Sequence, residues 1–484
     1  MLNPLGNDIR RFLRYLSFKQ DCLREQEEYP LTIDTAKAQK HFDELDQIIL
    51  EKTAALAKAM PQRPVEKKRS KPAVMRKQDG TISALGEKWY QLLEEQMLPS
   101  TTEGPITLIE GWVDGNPSSH AQVKEWLHSL GWKPCTYKFD RNKTTGEEKK
   151  IEQVRYHSPS DPRKGQLTES VLKLKSKNKG VEILEGLTVA SHRRSIFSGF
   201  LNSADASGRV VASAGGFTNT LRLKHRAPIV NLPKVGSAWG KEIRGCIVAP
   251  WEDYTVCGAD VDSLESCTKR HYMWDYDPDY VTDMSVEGFD EHLDLAKHAG
   301  EITQDDIDRY NRGEAPEIKA VRNIFKPANY AGVYGVRELT LSRQTGMSVN
   351  KCKALLDAYW QRNWSVNKIA SAQYVKTLKD GSMYLKNPVS GFYYSLRFEK
   401  DTFSTLNQGT GVFVFDLWVM KCREKGVKFS LQMHDEHLSY ILDSEKEEHT
   451  KLLKEAMKEV NDMLKLNVEI TSDIQYGSSY SDVH

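Results

Sequence analysis

Apolar residues recur at helical spacing through most of the first third of the chain. Over residues 35–60, Ala36, Ala38, Phe42, Leu45, Ile48, Ile49, Ala54 and Leu56 trace about seven helical turns, with Thr32 or Asp34 placed to cap the start. The basic, proline-containing stretch 61–80 breaks that pattern. A second helix is predicted over 85–97, and Asn116-Pro-Ser-Ser119 reads as the N-terminal cap of another through Leu130. Residues 140–146 read as a polar turn, and 181–201 as a further helix carrying His192, Arg193 and Arg194.

Near Gly208 the period changes. Short β-rich runs at 210–213, 245–249 and 254–261, separated by turns, predict strands. Residues 283–378 return to helix, and 427–442 read as strand, turn, strand around His434, Asp435 and Glu436. The chain therefore visits a sheet, leaves on a helical excursion and returns to the same sheet. No internal repeat or low-complexity segment interrupts it.

Length and charge refine this picture. The 484 residues allow about three domains. The formal charge of +1 conceals local imbalance: Arg63, Lys67, Lys68, Arg69, Lys71, Arg76 and Lys77 face a single Glu66, and Lys173, Lys175, Lys177 and Lys179 form a second basic stretch. Contact with a polyanion depends on where charges lie, so near-neutrality does not exclude nucleic acid. The seven cysteines are scattered without a Cys-x-x-Cys pair, as expected for free thiols in a reducing compartment. No apolar stretch approaches the ~18–20 residues of a membrane span, and the N-terminus lacks signal-peptide order, so a soluble cytoplasmic protein without a membrane partner is expected.

Two carboxylates stand at the ends of apolar segments. Asp260 closes the run from Tyr254, and Asp435 follows the run from Phe429. Asp260 serves equally well as a helix cap, and Asp262 competes with it. Asp435 and Glu436 at a tight turn call for a cation or a base beside them, unless the tip is simply solvated. Between these segments, Arg322, Lys326, Tyr330 and Tyr334 recur every four residues and so share one helix face, with Pro327 awkward inside it. Two cations one turn apart match a triphosphate, and a tyrosine one turn on offers a stacking surface; a solvated basic face reads equally well. Together these are the parts of phosphoryl transfer with two metal ions roughly 3.5–4 Å apart.

In these residues the chain resembles the family A DNA polymerases, those similar to bacterial DNA polymerase I. Asp260-Val-Asp-Ser-Leu-Glu265 resembles their motif A, residues 322–335 their motif B, and His434-Asp435-Glu436 their motif C. The stretch from Asn231 to Arg244, Asp290-Glu-His292 and Gln408-Gly-Thr410 resemble further family segments. Asn116 to Ser119, Gly131-Trp132 and the terminal His484 are most similar to the replicative polymerases of short-tailed bacteriophages. Ala331, Cys267, Leu221 before Arg222, and Ser404 depart from the family pattern, which bears on minor-groove checking and fidelity.

The resemblance implies an α+β right-hand fold of thumb, palm and fingers, the palm an antiparallel sheet. Residues 1–32 would pack on the palm, 33–204 form the thumb, 205–265 the palm with motif A, 266–400 the fingers, and 401–484 the palm with motif C. Asp260 and Asp435, with Glu436 beside them, would hold two Mg²⁺ ions, which favours Asp260 over Asp262. Arg322, Lys326 and His292 would bind the triphosphate, and Lys326 would protonate the leaving pyrophosphate. Tyr330 would stack on the incoming nucleotide and, as Tyr, tolerate a sugar lacking its 3′ hydroxyl. Glu265 would exclude ribonucleotides, while Tyr334, Arg244, Gln408, His434 and Arg193 would contact primer-template DNA.

The expected function is a template-directed DNA polymerase extending a primer with deoxynucleoside triphosphates in viral replication. Because the resemblance begins almost at the N-terminus, no in-chain 3′–5′ exonuclease is expected; a separate exonuclease chain or a processivity factor would be further partners. Two alternatives stand: a single-subunit RNA polymerase, disfavoured by Glu265 and Glu436, and a non-catalytic primer-template-binding subunit.

Overall fold

Of the apolar runs flanking the helical excursion, Tyr254–Val261 and the pair Leu431–Met433 and Glu436–Leu442 do meet in one sheet, whereas Arg209–Val210 and Ile247–Val248, expected in that sheet too, lie in a separate one with Leu31–Ile33. The computed structural model describes residues 9–142, 145–157 and 163–483, so part of the predicted 140–146 turn and His484 lie outside the described residues. Seven strands matter here: β1 (Tyr254–Val261), β2 (Val375–Thr377), β3 (Met383–Lys386), β4 (Tyr393–Leu396), β5 (Leu431–Met433), β6 (Glu436–Leu442) and β7 (Ser472–Gly477). The main sheet has the order β5-β6-β1-β7, antiparallel throughout, and β2-β3-β4 form a second, smaller sheet. The helices used below are α1 (Ile9–Glu28), α2 (Leu264–Met273), α3 (Glu291–His298), α4 (Ile318–Val333), α5 (Val349–Arg362), α6 (Thr402–Glu424) and α7 (Lys446–Leu464).

The chain folds into two compact units. The larger holds the described residues of Met1–Gln47, Thr136–Gln166 and Thr188–His484; the smaller holds Ile48–Cys135 and Leu167–Leu187. In the larger unit, Cys257, Ala259 and Val261 alternate along β1 onto one face and join a core with Phe413 and Trp418 of α6 and Leu453 and Met457 of α7. The other face therefore carries Asp260, which register sets opposite Glu436 on one side and Asp473 on the other.

Helices α3, α4 and α5 share a separate core around Leu293, Phe325, Leu356 and Tyr359. A Cβ on Gly332 would fall 2.4 Å from the Tyr359 ring, so α4 and α5 approach as closely as they do only because that position is glycine. The N-terminal α1 docks on α6 and β5. Tyr15 and Lys19 bond Asp416, Gln26 accepts from the Gln432 backbone at 3.0 Å, and Glu25 binds Arg423 at 2.9 Å.

Several local expectations change. The 61–80 stretch is not simply a break: Arg63–Arg69 is a strand paired with Ile106–Val113, because extended pairing lets its basic side chains point to water. The helix expected over 181–201 splits into Gly180–Ile183 and Leu187–Ser203, since Gly186 takes a φ of +76°. Of the two candidate caps for the helix Thr35–Ala59, Asp34 acts, its carboxylate accepting from the Lys37 amide at 2.8 Å.

Candidate active site

A fully apolar strand can end in a carboxylate only where it leaves the core, and Asp260 is exposed while its neighbours Ala259 and Val261 are buried. β5 and β6 form a hairpin in which Met433 pairs with Glu436, leaving His434 and Asp435 as a two-residue turn with His434 at φ +61°. The Val261 amide donates to the Asp435 carbonyl at 3.1 Å, which fastens the hairpin tip to the end of β1. Asp260 and Asp435 thus lie at the same end of the sheet. Asp262 is engaged elsewhere: its carboxylate accepts from the Thr471 hydroxyl at 2.6 Å.

Glu436 is buried behind these two and accepts from the Tyr480 hydroxyl at 3.0 Å. The Arg244 guanidinium covers the Tyr480 ring at 4.4 Å and donates to the Pro233 carbonyl at 2.8 Å, with 4% of the residue exposed. Arg244, expected at the DNA surface, is instead inside, held there by the aromatic face and the carbonyl. Its reach toward the site runs through Tyr480 to Glu436.

On α4, Arg322 binds Asp290 at 2.5 Å, and Asp290 caps α3 by accepting from the His292 and Leu293 amides. Burial opposes ionisation of Asp290, yet the Arg322 hydrogen bond, with the two amides, holds its carboxyl below the usual range. Asn329, one position before Tyr330, donates to the Glu291 carbonyl at 2.8 Å and lies 3.0 Å from His292 Nδ1. Burial lowers the His292 pKa, which favours the neutral ring. Lys326 Nζ and the His292 ring lie 5.8 and 5.4 Å from the centre of the Tyr330 ring, which is 56% exposed. Lys326, Tyr330 and His292 therefore come together on the side of α4 that faces α3.

A chain of polar contacts links this helix to the sheet. Glu265, on the first turn of α2 just beyond Asp260, pairs with Arg222 at 3.3 Å, and its carbonyl accepts from Asn407 at 2.9 Å. Gln408 donates to the Tyr334 hydroxyl at 3.1 Å, and burial followed by the Glu265 charge raises the Tyr334 pKa. Leu221 takes a φ of +66°, the left-handed conformation that glycine adopts freely. His434 stands 6.2 Å from His225, its pKa lowered by burial and then by Arg222. Arg193 lies apart from these contacts, donating to the Ala238 carbonyl at 3.0 Å.

Sequence reasoning missed Asn329, Arg222's ionic role and the half-buried Lys269–Glu291 pair at 3.3 Å. Asn329 had a usable signal: it is a polar residue among Phe325, Ala328 and Gly332 on the buried side of α4. Among the described residues, no three His, Cys, Asp or Glu side chains gather as a cage. Two aspartates fit Mg²⁺, which takes one or two carboxylates and completes its shell with water and substrate phosphate.

Residues 116–482 match the family model for DNA polymerase family A. The chain is similar to DNA polymerase I of Streptococcus pneumoniae, 25% identical over 258 residues, covering 50% of this chain and 28% of that protein. It is 26% identical over 260 residues to DNA polymerase I of Helicobacter pylori, covering 51% and 27%. With DNA polymerase I of Bacillus subtilis it shares 25% over 281 residues, covering 55% and 30%, so the chain spans less than a third of these relatives. Among solved structures, the POL domain of Pol1 from M. smegmatis in complex with DNA primer-template and dNTP superposes with a TM-score of 0.63 at 19% identity, covering 96% of this chain and 70% of that chain. That likeness establishes the fold.

Proposed function

Because the chain belongs to DNA polymerase family A, we propose that it is a DNA-directed DNA polymerase that adds deoxynucleotides to a primer 3′ end along a template. The observation that carries this reading is the tie between Val261 and the Asp435 carbonyl, which brings two carboxylates, 175 residues apart in sequence, to one sheet end. Asp260 and Asp435 would hold two Mg²⁺ ions, with Glu436 behind them. When bound, such ions activate the 3′ hydroxyl and offset charge on the triphosphate.

The chain's own residues supply the rest. With its Nδ1 accepting from Asn329, His292 presents an Nε2–H donor to a phosphate oxygen. Arg322 and Lys326 add charge-assisted donors, and Lys326 gives its proton to the leaving pyrophosphate. Tyr330 stacks on the incoming base, Glu265 crowds the 2′ position, and the Gln408–Tyr334 pair, with His434 and Arg193, faces primer-template DNA. In this reading residues 33–204 are the thumb, 205–265 and 401–484 the palm, with 1–32 docked on it, and 266–400 the fingers. A role in viral replication rests on the similarity at Asn116 to Ser119 and Gly131-Trp132.

Incubating the purified chain with Mg²⁺, a 5′-labelled primer on a longer template, and either four deoxynucleotides or four ribonucleotides tests this directly. Full extension with deoxynucleotides only is expected. Equal extension with ribonucleotides would favour the RNA polymerase reading, and binding without extension would favour a non-catalytic subunit. Primer shortening without nucleotides measures exonuclease activity.

A further inference from the structure

The small sheet β2-β3-β4 has two unlike faces. Leu385, Tyr394 and Leu396 are buried on one side, where Tyr394 donates to the Gly409 carbonyl of α6 at 3.3 Å and Asn387 to the Leu406 carbonyl at 3.2 Å. Alternation sends the other residues to the opposite face. There, register aligns Lys376, Tyr384 and Ser395 in one row. The next row is Tyr374, Lys386 and Tyr393: Lys386 pairs with Tyr393 in register, and its amide donates to the Tyr374 carbonyl at 3.0 Å. Tyrosine and lysine therefore alternate across the strands. Tyr374 and Tyr393 flank Lys386 in this row, their ring centres 6.4 Å apart.

Charge on this element is one-sided. Between Tyr374 and Arg397 the chain carries Lys376, Lys379, Lys386 and Arg397 against Asp380 alone, and Asp380 is occupied in its turn by the Ser382 amide and hydroxyl. Such a face has little use for a protein core. Flat rings offer π surfaces that any base can use, and interleaved cations attract the phosphates between them, the combination by which sheets hold single strands.

The face also adjoins the candidate site. Asn219, in the loop that carries Arg222, donates to the Ser395 carbonyl at 3.2 Å, and Lys400, three residues beyond Arg397, donates to the Tyr334 carbonyl at 3.4 Å. From charge complementarity and this continuity, we infer that the Tyr374, Tyr384, Lys386, Tyr393 and Arg397 face binds the single-stranded 5′ overhang of the template before it enters the active site. The inference rests on the polymerase reading above.

The test compares wild type with Tyr384→Ala/Tyr393→Ala, Tyr384→Phe/Tyr393→Phe and Lys386→Glu/Arg397→Glu. Binding is measured by fluorescence anisotropy to primer-templates with either a one-nucleotide or a twenty-nucleotide overhang. Wild type should bind the long overhang more tightly. The alanine pair should lose that advantage, roughly fivefold or more per ring from lost stacking. The phenylalanine pair should keep it, and the charge-reversal pair should lose it with a weakened salt dependence. Affinity for the short overhang is the reference and should hold steady, as should each variant's thermal midpoint. Equal losses on both templates would mean that the face touches duplex, and no loss on either would mean that it binds no DNA; both overturn the inference. Neither bears on the polymerase reading, which is tested separately by whether wild type extends the short-overhang primer with a deoxynucleotide and not with a ribonucleotide.

Discussion

Asn329 fixes the His292 ring: its side-chain amide lies 3.0 Å from Nδ1 and also holds the Glu291 carbonyl at 2.8 Å. With Nδ1 as acceptor, the neutral ring must carry its proton on Nε2. Replacing Asn329 with Ala should raise KM for the deoxynucleotide about tenfold, the worth of one hydrogen bond to a charged group, while kcat changes less than threefold. Asn329→Asp should be worse, because a carboxylate accepts from Nδ1 and turns Nε2 into an acceptor facing phosphate. Nucleotide titrations in single-nucleotide incorporation read both; an Asp variant as good as wild type would remove the tautomer argument.

Asp260 and Asp435 lie at one end of the sheet through the Val261–Asp435 backbone bond. Either Asp→Asn change should slow primer extension by a factor on the order of 10³ or more, since electrostatic stabilisation of developing charge is lost. Primer-template affinity should move less than threefold. If the Asp435→Asn enzyme extends primers at a wild-type rate, the metal site lies elsewhere.

Lys19 and Asp416 form a buried pair, each side chain 4% exposed, with the Tyr15 hydroxyl as a third partner. Removing one partner strands the other charge in the core, so Lys19→Met and Asp416→Leu should each cost about 3–5 kcal/mol. The double variant should be more stable than either single one, because no charge is then left buried. Urea unfolding of the four proteins gives the comparison. Additive losses would show that the pair is not coupled.

Acid should destabilise the fold well above the carboxylate range. His437 packs between Trp418 and Phe429, ring centres 4.5 and 4.4 Å away, and burial pushes its pKa down to about 3; burial takes His449 to about 4. Both lie below the ordinary value of 6.5, so between pH 6.5 and these values the unfolded chain binds protons that the folded one refuses. Stability is therefore complete above pH 6.5 and falls as pH drops through that window, by about 1.4 kcal/mol per unit for each histidine. Thermal midpoints at pH 7.5 and 5.5 should show a smaller drop for His437→Leu than for wild type. An identical drop would assign the acid sensitivity to other groups.

Much of this site was legible in the chain itself. The four-residue recurrence of Arg322, Lys326, Tyr330 and Tyr334 places them on one face of any helix, and carboxylates ending apolar runs emerge where strands leave a core. The return of the chain to one sheet followed from apolar runs on either side of a helical excursion. These are consequences of local geometry, which a sequence carries in full. Only the tertiary structure set Glu436 opposite Asp260, drew Lys19 to Asp416 across 397 positions, buried Arg244 against the Tyr480 ring and gave His292 its Asn329 donor. Periodicity says which residues share a face but not what that face meets. Register, and the partners that make a buried charge tolerable, depend on packing between segments far apart in the chain.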